Sequence, residues 1–218
     1  EHPMYLTSEK EKWYIPINKS MAEANAVTTT TKIFANEIKN RWNKNAFVLP
    51  NALPEGEGQF VLHKEHSDRI RFGVVCGSSH LYDLLILKDM VQMLPKEYLD
   101  KIQFVLCGFD TNGTKTIYQP GQTEPIRRPI EPQESVWNDF ERILTNNYNT
   151  ISEEHKKFLQ TYTKIDDPFK NEPYARYWTI PIHNYYQQYN HVDVLLAPLV
   201  ESHFNSVKSE LKFVEAGF

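Results

Sequence analysis

In the C-terminal two thirds of the chain, continuous apolar runs alternate with segments whose apolar residues recur at the spacing of a helix. An apolar run at residues 70–76 is followed by Gly77 and then by apolar residues at helical spacing: Leu84, Leu87, Val91 and Leu94. A second apolar run occupies residues 102–107. Because a strand, a helix and a second strand in this order form a unit with parallel strands, the pattern predicts an α/β fold.

Further predicted elements complete this pattern. The segment at residues 110–136 is rich in proline and turn residues, which predicts an irregular excursion. The predicted strands together make a Rossmann-like parallel sheet with helices on both faces. The elements predicted after residue 133 are two helices within 134–162, the second beginning at Ser152, a strand at 178–182, a helix at 183–190, a strand at 192–197 and a helix at 205–218.

The first fifty residues do not show a complete alternating unit. They contain two short apolar runs around a helix-like stretch at residues 33–42. We therefore predict that residues 1–50 are part of another domain or a segment that crosses between domains. Residues 51–69 are charged and interrupted by Pro and Gly, which is typical of a linker. The main domain is then predicted to span residues 70–218.

The composition narrows the class of partner. A chain of 218 residues with 40% hydrophobic residues can bury one substantial core. Its net charge of -4 argues against a nucleic acid partner, because nucleic-acid-binding surfaces are basic. Cys76 and Cys107 lie in apolar runs, which predicts free thiols and a reducing, cytoplasmic location. No apolar run approaches the roughly 18 residues that span a bilayer, and no pattern indicates a metal.

The first candidate site is the turn after the strand at residues 70–76. Its residues are Gly77, Ser78, Ser79 and His80. Glycine permits close approach of a ligand to the backbone, and the hydroxyl groups add hydrogen-bond donors, so the turn could bind phosphate. The alternative is an ordinary turn that caps a helix, with His80 as a surface or capping residue.

The second candidate site is the C-terminal segment that begins with the polar turn at residues 201–206. At about 100° per residue, Lys208, Lys212 and Glu215 form one polar stripe on the predicted helix. A cation at a helix start gains nothing from the helix dipole, so Lys208 favours a bound anion there. Glu215, two turns further on, could accept from the two hydroxyls of a ribose. The alternative is an exposed helix face of paired Lys and Glu side chains.

The most specific pattern in the chain is VDVLLAPLVESHFNSVKSELKFVEAG, at residues 192–217. It resembles the retaining, family 4-like glycosyltransferases of the two-domain GT-B fold, especially those that build bacterial surface polysaccharides. Supporting similarities lie at residues 27–38, 48–53 and 73–84, so the resemblance extends over most of the chain.

The resemblance implies a nucleotide-sugar-binding (donor) domain truncated at its C-terminal end, with residues 1–50 as a remnant of the acceptor domain or the crossing segment. It implies transfer of a sugar from a nucleoside-diphosphate sugar to a glycan or lipid-linked acceptor, with no further cofactor. Lys208 and Glu215 would be catalytic. Val207 stands where the family has an acidic residue eight positions before the ribose glutamate. The implied donor-binding residues are Gly77, Ser78, Ser79, His80, Asn205, Ser209 and Lys212.

Other functions remain open at this point. The chain could be a non-catalytic nucleotide-binding or assembly module derived from a GT-B domain. A GT-B sugar epimerase or phosphorylase would share the same sheet, although the pyridoxal-binding lysine motif of a phosphorylase is missing. Tyr185 and Tyr186 could stack on a nucleobase or belong to the core. The sugar, the base, the acceptor, the oligomeric state and a peripheral membrane association of the full-length protein stay open.

Overall fold

A computed structural model describes residues 9, 11–53, 64–117 and 125–217. The chain divides into two compact units, which we call unit 1 (Glu1–Gln59 and Leu199–Phe218) and unit 2 (Phe60–Pro198). The predicted domains use different boundaries, at residues 50 and 69, and stay a prediction. Parts of the predicted linker and of the excursion, together with Phe218, lie outside the described residues.

Unit 1 begins with a helix and a small βαβ arrangement. The elements are α1 (Tyr14–Glu23), β1 (Val27–Thr29), α2 (Lys32–Trp42) and β2 (Ala46–Val48). Strands β1 and β2 are parallel, so this segment does contain an alternating unit, contrary to the sequence analysis. Strands of three residues are too short to show periodicity, which explains the miss. Helix α2 begins after Thr31, whose hydroxyl accepts from the Phe34 N–H, and buries Ile38.

Unit 2 contains the main sheet and an additional hairpin. The strands are β3 (Ile70–Val75), β4 (Ile102–Phe109), β5 (Thr114–Ile117), β6 (Ile126–Pro129), β7 (Tyr174–Trp178) and β8 (Val194–Leu195). The main sheet has the order β7-β4-β3-β8, and each neighbouring pair is parallel. The predicted parallel α/β sheet is therefore confirmed.

The boundaries of the last two sheet strands differ from the prediction. Strand β7 ends where 178–182 was predicted to begin, and β8 is shorter than 192–197. Arg176, a charged residue in the middle of β7, hid this strand from a search for apolar runs.

The helices of unit 2 are short. They are α3 (Leu81–Leu84), α4 (Met90–Met93), α5 (Lys96–Leu99), α6 (Trp137–Leu144) and α7 (Glu153–Leu159), with 3-10 helices at Ser78–His80, Leu85–Leu87, Pro132–Glu134 and Ile182–His191. The helix predicted after β3 is thus broken into pieces, and that at 183–190 is a 3-10 helix. The two helices predicted within 134–162 are confirmed, and the Ser152 hydroxyl caps α7 by accepting from the His155 N–H at 3.2 Å.

The segment predicted as an irregular excursion contains an antiparallel hairpin. Strand β5 pairs with β6 from Thr114 opposite Pro129 to Ile117 opposite Ile126, while residues 118–124 lie outside the described residues. Glu134 accepts from Lys115 at 2.6 Å and from both terminal nitrogens of Arg128 at 2.7 Å. Lys115 and Glu134 are 19 residues apart in sequence, so local turn signals could not reveal their contact.

The main sheet is covered on both faces, as predicted. Phe104 and Leu106 of β4 belong to the larger apolar cluster, which includes residues of α3, α6 and α7. Val105 and Cys107 point to the opposite face, where they pack with Tyr189 of the last 3-10 helix. Cys76 packs against the first cluster and Cys107 lies in the second, and neither cysteine forms a disulfide among the described residues.

A buried ion pair joins α6 to β7 inside unit 2. The side chain of Glu141 is 0% exposed and that of Arg176 is 4% exposed. Arg176 donates to the carboxylate from Nε at 2.7 Å and from Nη2 at 2.6 Å, and from Nη1 to the Leu159 carbonyl at 2.9 Å. The Tyr174 hydroxyl donates to the same carboxylate at 2.7 Å. Because the hydrogen-bonding groups of both ions are well supplied, the cost of burying the charges is offset.

The final residues, 199–217, belong to unit 1. They form α8 (His203–Ser206) and α9 (Leu211–Ala216) rather than the single helix predicted over 205–218. Two hydrogen bonds tie the connection between these helices to the N-terminal residues of the same unit. The Thr31 hydroxyl donates to the Val207 carbonyl at 3.1 Å, and the Asn51 amide donates to the Ser209 hydroxyl at 2.5 Å. These partners are distant in sequence, which is why the break was not foreseen.

Among the described residues, no helix has the length and apolar character that crossing a membrane requires.

The buried pair makes a testable prediction about stability. Glu141→Gln leaves the Arg176 charge buried without its counter-ion, so we expect the free energy of unfolding to fall by about 3–5 kcal/mol. Asp139→Asn on the same helix removes an exposed ion pair with Arg142 and should cost less than about 1 kcal/mol. Urea unfolding of both variants measures the difference, and equal losses would contradict the role given to Glu141.

Candidate functional site

The strand order of unit 2 reverses at β3. From β3 the chain adds β4 and then β7 on one side, and it later places β8 on the other side of β3. In open parallel sheets, ligands bind outside the carboxyl ends of the strands at such a reversal point. Residues 77–80 follow the carboxyl end of β3, so the structure places the first candidate turn at this position.

An ion pair holds β8 beside β3, where the strand order reverses. Arg71 of β3 donates to Asp193, which directly precedes β8, from Nε at 3.0 Å and from Nη2 at 2.9 Å. The Arg71 backbone N–H donates to the same carboxylate at 2.9 Å. Hydrogen bonding to Arg71 lowers the pKa of Asp193 below its ordinary value, so the carboxylate is charged near neutral pH. The pair therefore secures β8 against β3.

The turn itself is open to solvent. Gly77, Ser78 and Ser79 are exposed, and His80 is partly buried. Gly77 has φ -88° and ψ 163°, which any residue can adopt, and a side-chain carbon built there meets no atom within 4 Å. Neither the backbone nor the packing thus requires glycine at this position. The space beside it could admit a ligand close to the backbone.

The alternative, an ordinary turn that caps a helix, stays open, because the turn leads directly into a 3-10 helix. The 3-10 helix at Ser78–His80 has Gly77 at its N-cap, and α3 has His80 at its N-cap, and neither residue makes a side-chain capping hydrogen bond. His80 instead lies beside a carboxylate that the sequence analysis missed. Its Nδ1 is 3.1 Å from Oδ2 of Asp83, which is 1% exposed. Two features of the sequence could have indicated this contact: Asp83 lies three residues after His80, and it is the one acid in the otherwise apolar stretch Leu81–Leu84.

The second group of candidate residues lies in unit 1, around α8 and α9. Asn205 is buried, and its amide donates to the Val200 carbonyl at 2.7 Å. Lys208 and Ser209 lie between the two helices, so the predicted single polar stripe from Lys208 to Glu215 is wrong. The Lys208 ammonium is 4.7 Å from the centre of the Phe204 ring, within range of a cation–π contact.

Lys212 and Glu215 both lie on α9 and form an ion pair at 3.3 Å. The Glu215 side chain is only 7% exposed, against 38% for Lys212. Burial raises the pKa of Glu215 to about 7, even with the ammonium group nearby. The alternative interpretation, an exposed face of paired Lys and Glu side chains, agrees with this i,i+3 pair but not with the low exposure of the glutamate. Its catalytic role and that of Lys208 stay predictions.

Unit 1 also contains an open cavity of about 850 Å³. Lys208 and Ser209 form part of its wall, together with aromatic side chains that include Phe34, Trp42 and Phe204. Within this cavity, Glu37 Oε2 lies 3.1 Å from Arg41 Nε and 3.6 Å from His203 Nε2. The sequence analysis did not identify this charged cluster, because its members come from α2 and α8.

A smaller cavity of about 330 Å³ lies in unit 2 beside β7. The buried amide oxygen of Gln188 has no hydrogen-bond partner, and the ring of His191 stacks on Tyr177 with centroids 3.7 Å apart. Burial lowers the pKa of His191, which favours the neutral ring. Tyr185 packs against the second apolar cluster, which favours the core interpretation of this residue over base stacking.

Comparisons with protein-family models, with curated proteins and with solved structures give no match for this chain. The described residues contain no group of three His, Cys, Asp or Glu side chains that could hold a metal ion. The candidate residues form two groups, each within its own unit: residues 77–80 in unit 2 and the residues of α8, α9 and their connection in unit 1.

The buried Glu215 predicts a pH dependence of stability. Its pKa is about 7 in the folded chain against an ordinary value of 4.5, so the folded state binds the proton more tightly. The stabilisation is complete below pH 4.5 and is lost as the pH rises through 7, by on the order of 1–3 kcal/mol. Urea unfolding between pH 5 and pH 8 should show this fall in the parent chain and a smaller one in Glu215→Gln.

Glu210, an exposed neighbour, offers the matched control. Glu210→Gln should keep the pH dependence of the parent chain. If Glu215→Gln also keeps it, the buried carboxyl is not its source.

Proposed function

We propose that this chain is the nucleotide-sugar-binding part of a GT-B type glycosyltransferase. The observation that carries the proposal is the exposed turn at residues 77–80, which follows β3 at the reversal point of a parallel sheet. Open space beside Gly77 and hydrogen-bonding groups on Ser78, Ser79 and His80 suit a diphosphate. The resemblance at residues 192–217 supplies the reaction class.

The proposed reaction is sugar transfer to a hydroxyl group. The bond between the anomeric carbon of the sugar and the diphosphate oxygen breaks, and the nucleoside diphosphate leaves with the bonding electrons. The acceptor oxygen forms the new bond to the anomeric carbon, and its proton passes to the leaving diphosphate or to water. Positive groups that meet the negative charge growing on the leaving diphosphate accelerate such a step. Lys208 is the residue proposed for this role, and Glu215 the one proposed for the ribose.

The donor-binding proposal is tested by isothermal titration of the chain with uridine, guanosine, adenosine and cytidine diphosphates and with their sugar conjugates. We expect binding of one nucleotide series and release of free sugar from its sugar conjugate on incubation. Binding without turnover would favour the non-catalytic nucleotide-binding module. Absence of binding to every member of the panel would overturn both functions.

Gly77 gives the sharpest test of the turn. Gly77→Val adds a side chain whose first carbon meets no atom within 4 Å beyond its chain neighbours, so the free energy of unfolding should change by less than about 1 kcal/mol. Diphosphate affinity should fall more than about tenfold, because the ligand can no longer approach the backbone. Gly73→Ala is the opposite control, since its new methyl group collides with the Val192 side chain and should destabilise the fold. A Gly77→Val variant with unchanged affinity would remove the turn from the binding site.

Substitutions of Lys208 and of Glu215 should weaken the binding of different ligands. Lys208→Ala should weaken diphosphate binding by about 1.5–3 kcal/mol while leaving the bare nucleoside unaffected, and high salt should reduce the loss. Glu215→Gln should weaken nucleoside and nucleoside diphosphate about equally. Lys39→Ala, an exposed lysine of the same unit, serves as the charge control. Unchanged affinities for every ligand in both variants would show that the two residues lie outside the binding site.

A further inference from the structure

We propose that Asp83 is a positioning residue, which holds the imidazole of His80 in the orientation that contacts the donor diphosphate. This inference rests on the proposed function, because it names a residue that acts through the candidate turn. No part of the sequence pattern or of the family resemblance assigns a role to Asp83.

The burial of Asp83 needs a physical reason. Its side chain is 1% exposed within the short apolar helix α3, where leucines on both sides contact the larger apolar cluster. Removing a carboxylate from water is costly unless it is compensated by hydrogen bonds or opposite charge. A glutamine or a leucine would fill this space more cheaply if the residue only packed. The carboxylate faces Nδ1 of His80 at 3.1 Å, so one of the groups that it contacts is the imidazole of the candidate turn.

The contact constrains the ring in two ways. Hydrogen bonding to a carboxylate places a proton on Nδ1 and fixes the rotation of the imidazole about its side-chain bonds. Nε2 then lies on the side of the ring away from Asp83. The His80 side chain is 34% exposed and follows directly on the exposed residues 77–79. A ring held in this way loses less conformational freedom when a ligand binds, which is how a positioning residue raises affinity.

In many enzymes a carboxylate hydrogen-bonds to one ring nitrogen of a histidine and so orients the ring, while the other ring nitrogen contacts a metal ion or a nucleophile. The contact between Asp83 and His80 has the same form. Here the ligand would be a diphosphate, and no proton transfer is needed. The expected effect of Asp83 is therefore on binding of the diphosphate and not on binding of the bare nucleoside.

The first experiment examines the free chain by nitrogen NMR of the histidine rings. The parent chain should show His80 protonated at Nδ1, and Asp83→Asn should shift both of its ring nitrogens. His203, whose neighbours are Glu37 and Arg41, should not change and is the internal control. An unchanged His80 spectrum in Asp83→Asn would overturn the inference whether or not the chain binds nucleotides.

The second experiment is a double-mutant cycle with the nucleoside diphosphate that binds the parent chain. Asp83→Asn and His80→Gln should each lower diphosphate affinity by about tenfold, and the double variant should be no weaker than His80→Gln alone. Bare nucleoside affinity should be unchanged in all three. Losses that multiply in the double variant, or an Asp83→Asn chain that binds as tightly as the parent, would overturn the positioning role.

Stability is measured alongside, because a buried substitution can unfold the chain. If Asp83→Asn melts well below the parent, Asp83→Ser provides a smaller polar replacement at the same position, and the cycle is repeated with it. If the parent chain binds no nucleoside diphosphate, the proposed function fails while the NMR result still decides whether Asp83 orients His80.

Discussion

The ion pair between Glu141 and Arg176 is the constraint on which most of unit 2 depends. Two opposite charges lie inside an apolar core, and they are tolerated because hydrogen bonds from Tyr174 and to the Leu159 carbonyl supply the remaining polar groups. The same guanidinium lies 3.8 Å from the ring centre of Phe109, so it also serves as a packing surface. Through this pair α6, α7 and β7 are fixed to one another. Replacement of either Glu141 or Arg176 by a neutral residue would leave the other charge buried without its counter-ion.

Strand β7 is one of the two outer strands of the main sheet, and a side chain of the same unit contacts its backbone. The Arg176 backbone N–H donates to Asp167 at 3.3 Å, and the same carboxylate lies 2.9 Å from Nε2 of the fully buried His155. A side chain of the protein thus occupies a position where another strand could pair. The Arg176 backbone N–H is therefore satisfied within the unit by a carboxylate that is itself buried.

A second ion pair does comparable work at the other end of the sheet. Arg71 and Asp193 secure the short strand β8 beside β3, and this placement creates the reversal in strand order. With only two residues, β8 has few ladder hydrogen bonds of its own, so the ion pair compensates for its length. The proposed diphosphate turn at residues 77–80 follows β3 at this point. The ion pair between Arg71 and Asp193 is therefore important for the proposed function, because a ligand-binding turn needs fixed strands beside it.

The sequence by itself determined the parallel α/β sheet and the capped helix α7, because each depends on periodicity or on neighbouring residues. It also pointed to Gly77 and His80, whose turn follows a recognisable strand. Tertiary structure decided what depends on distant partners: the ion pair that placed the charged strand β7 in the core, the hairpin β5–β6, and the break between α8 and α9 at Lys208, where Thr31 and Asn51 bind the connecting backbone and the Ser209 hydroxyl. Asp83 was missed for the same reason. Its burial beside His80 is what distinguishes it, and burial is a property that only the folded chain possesses.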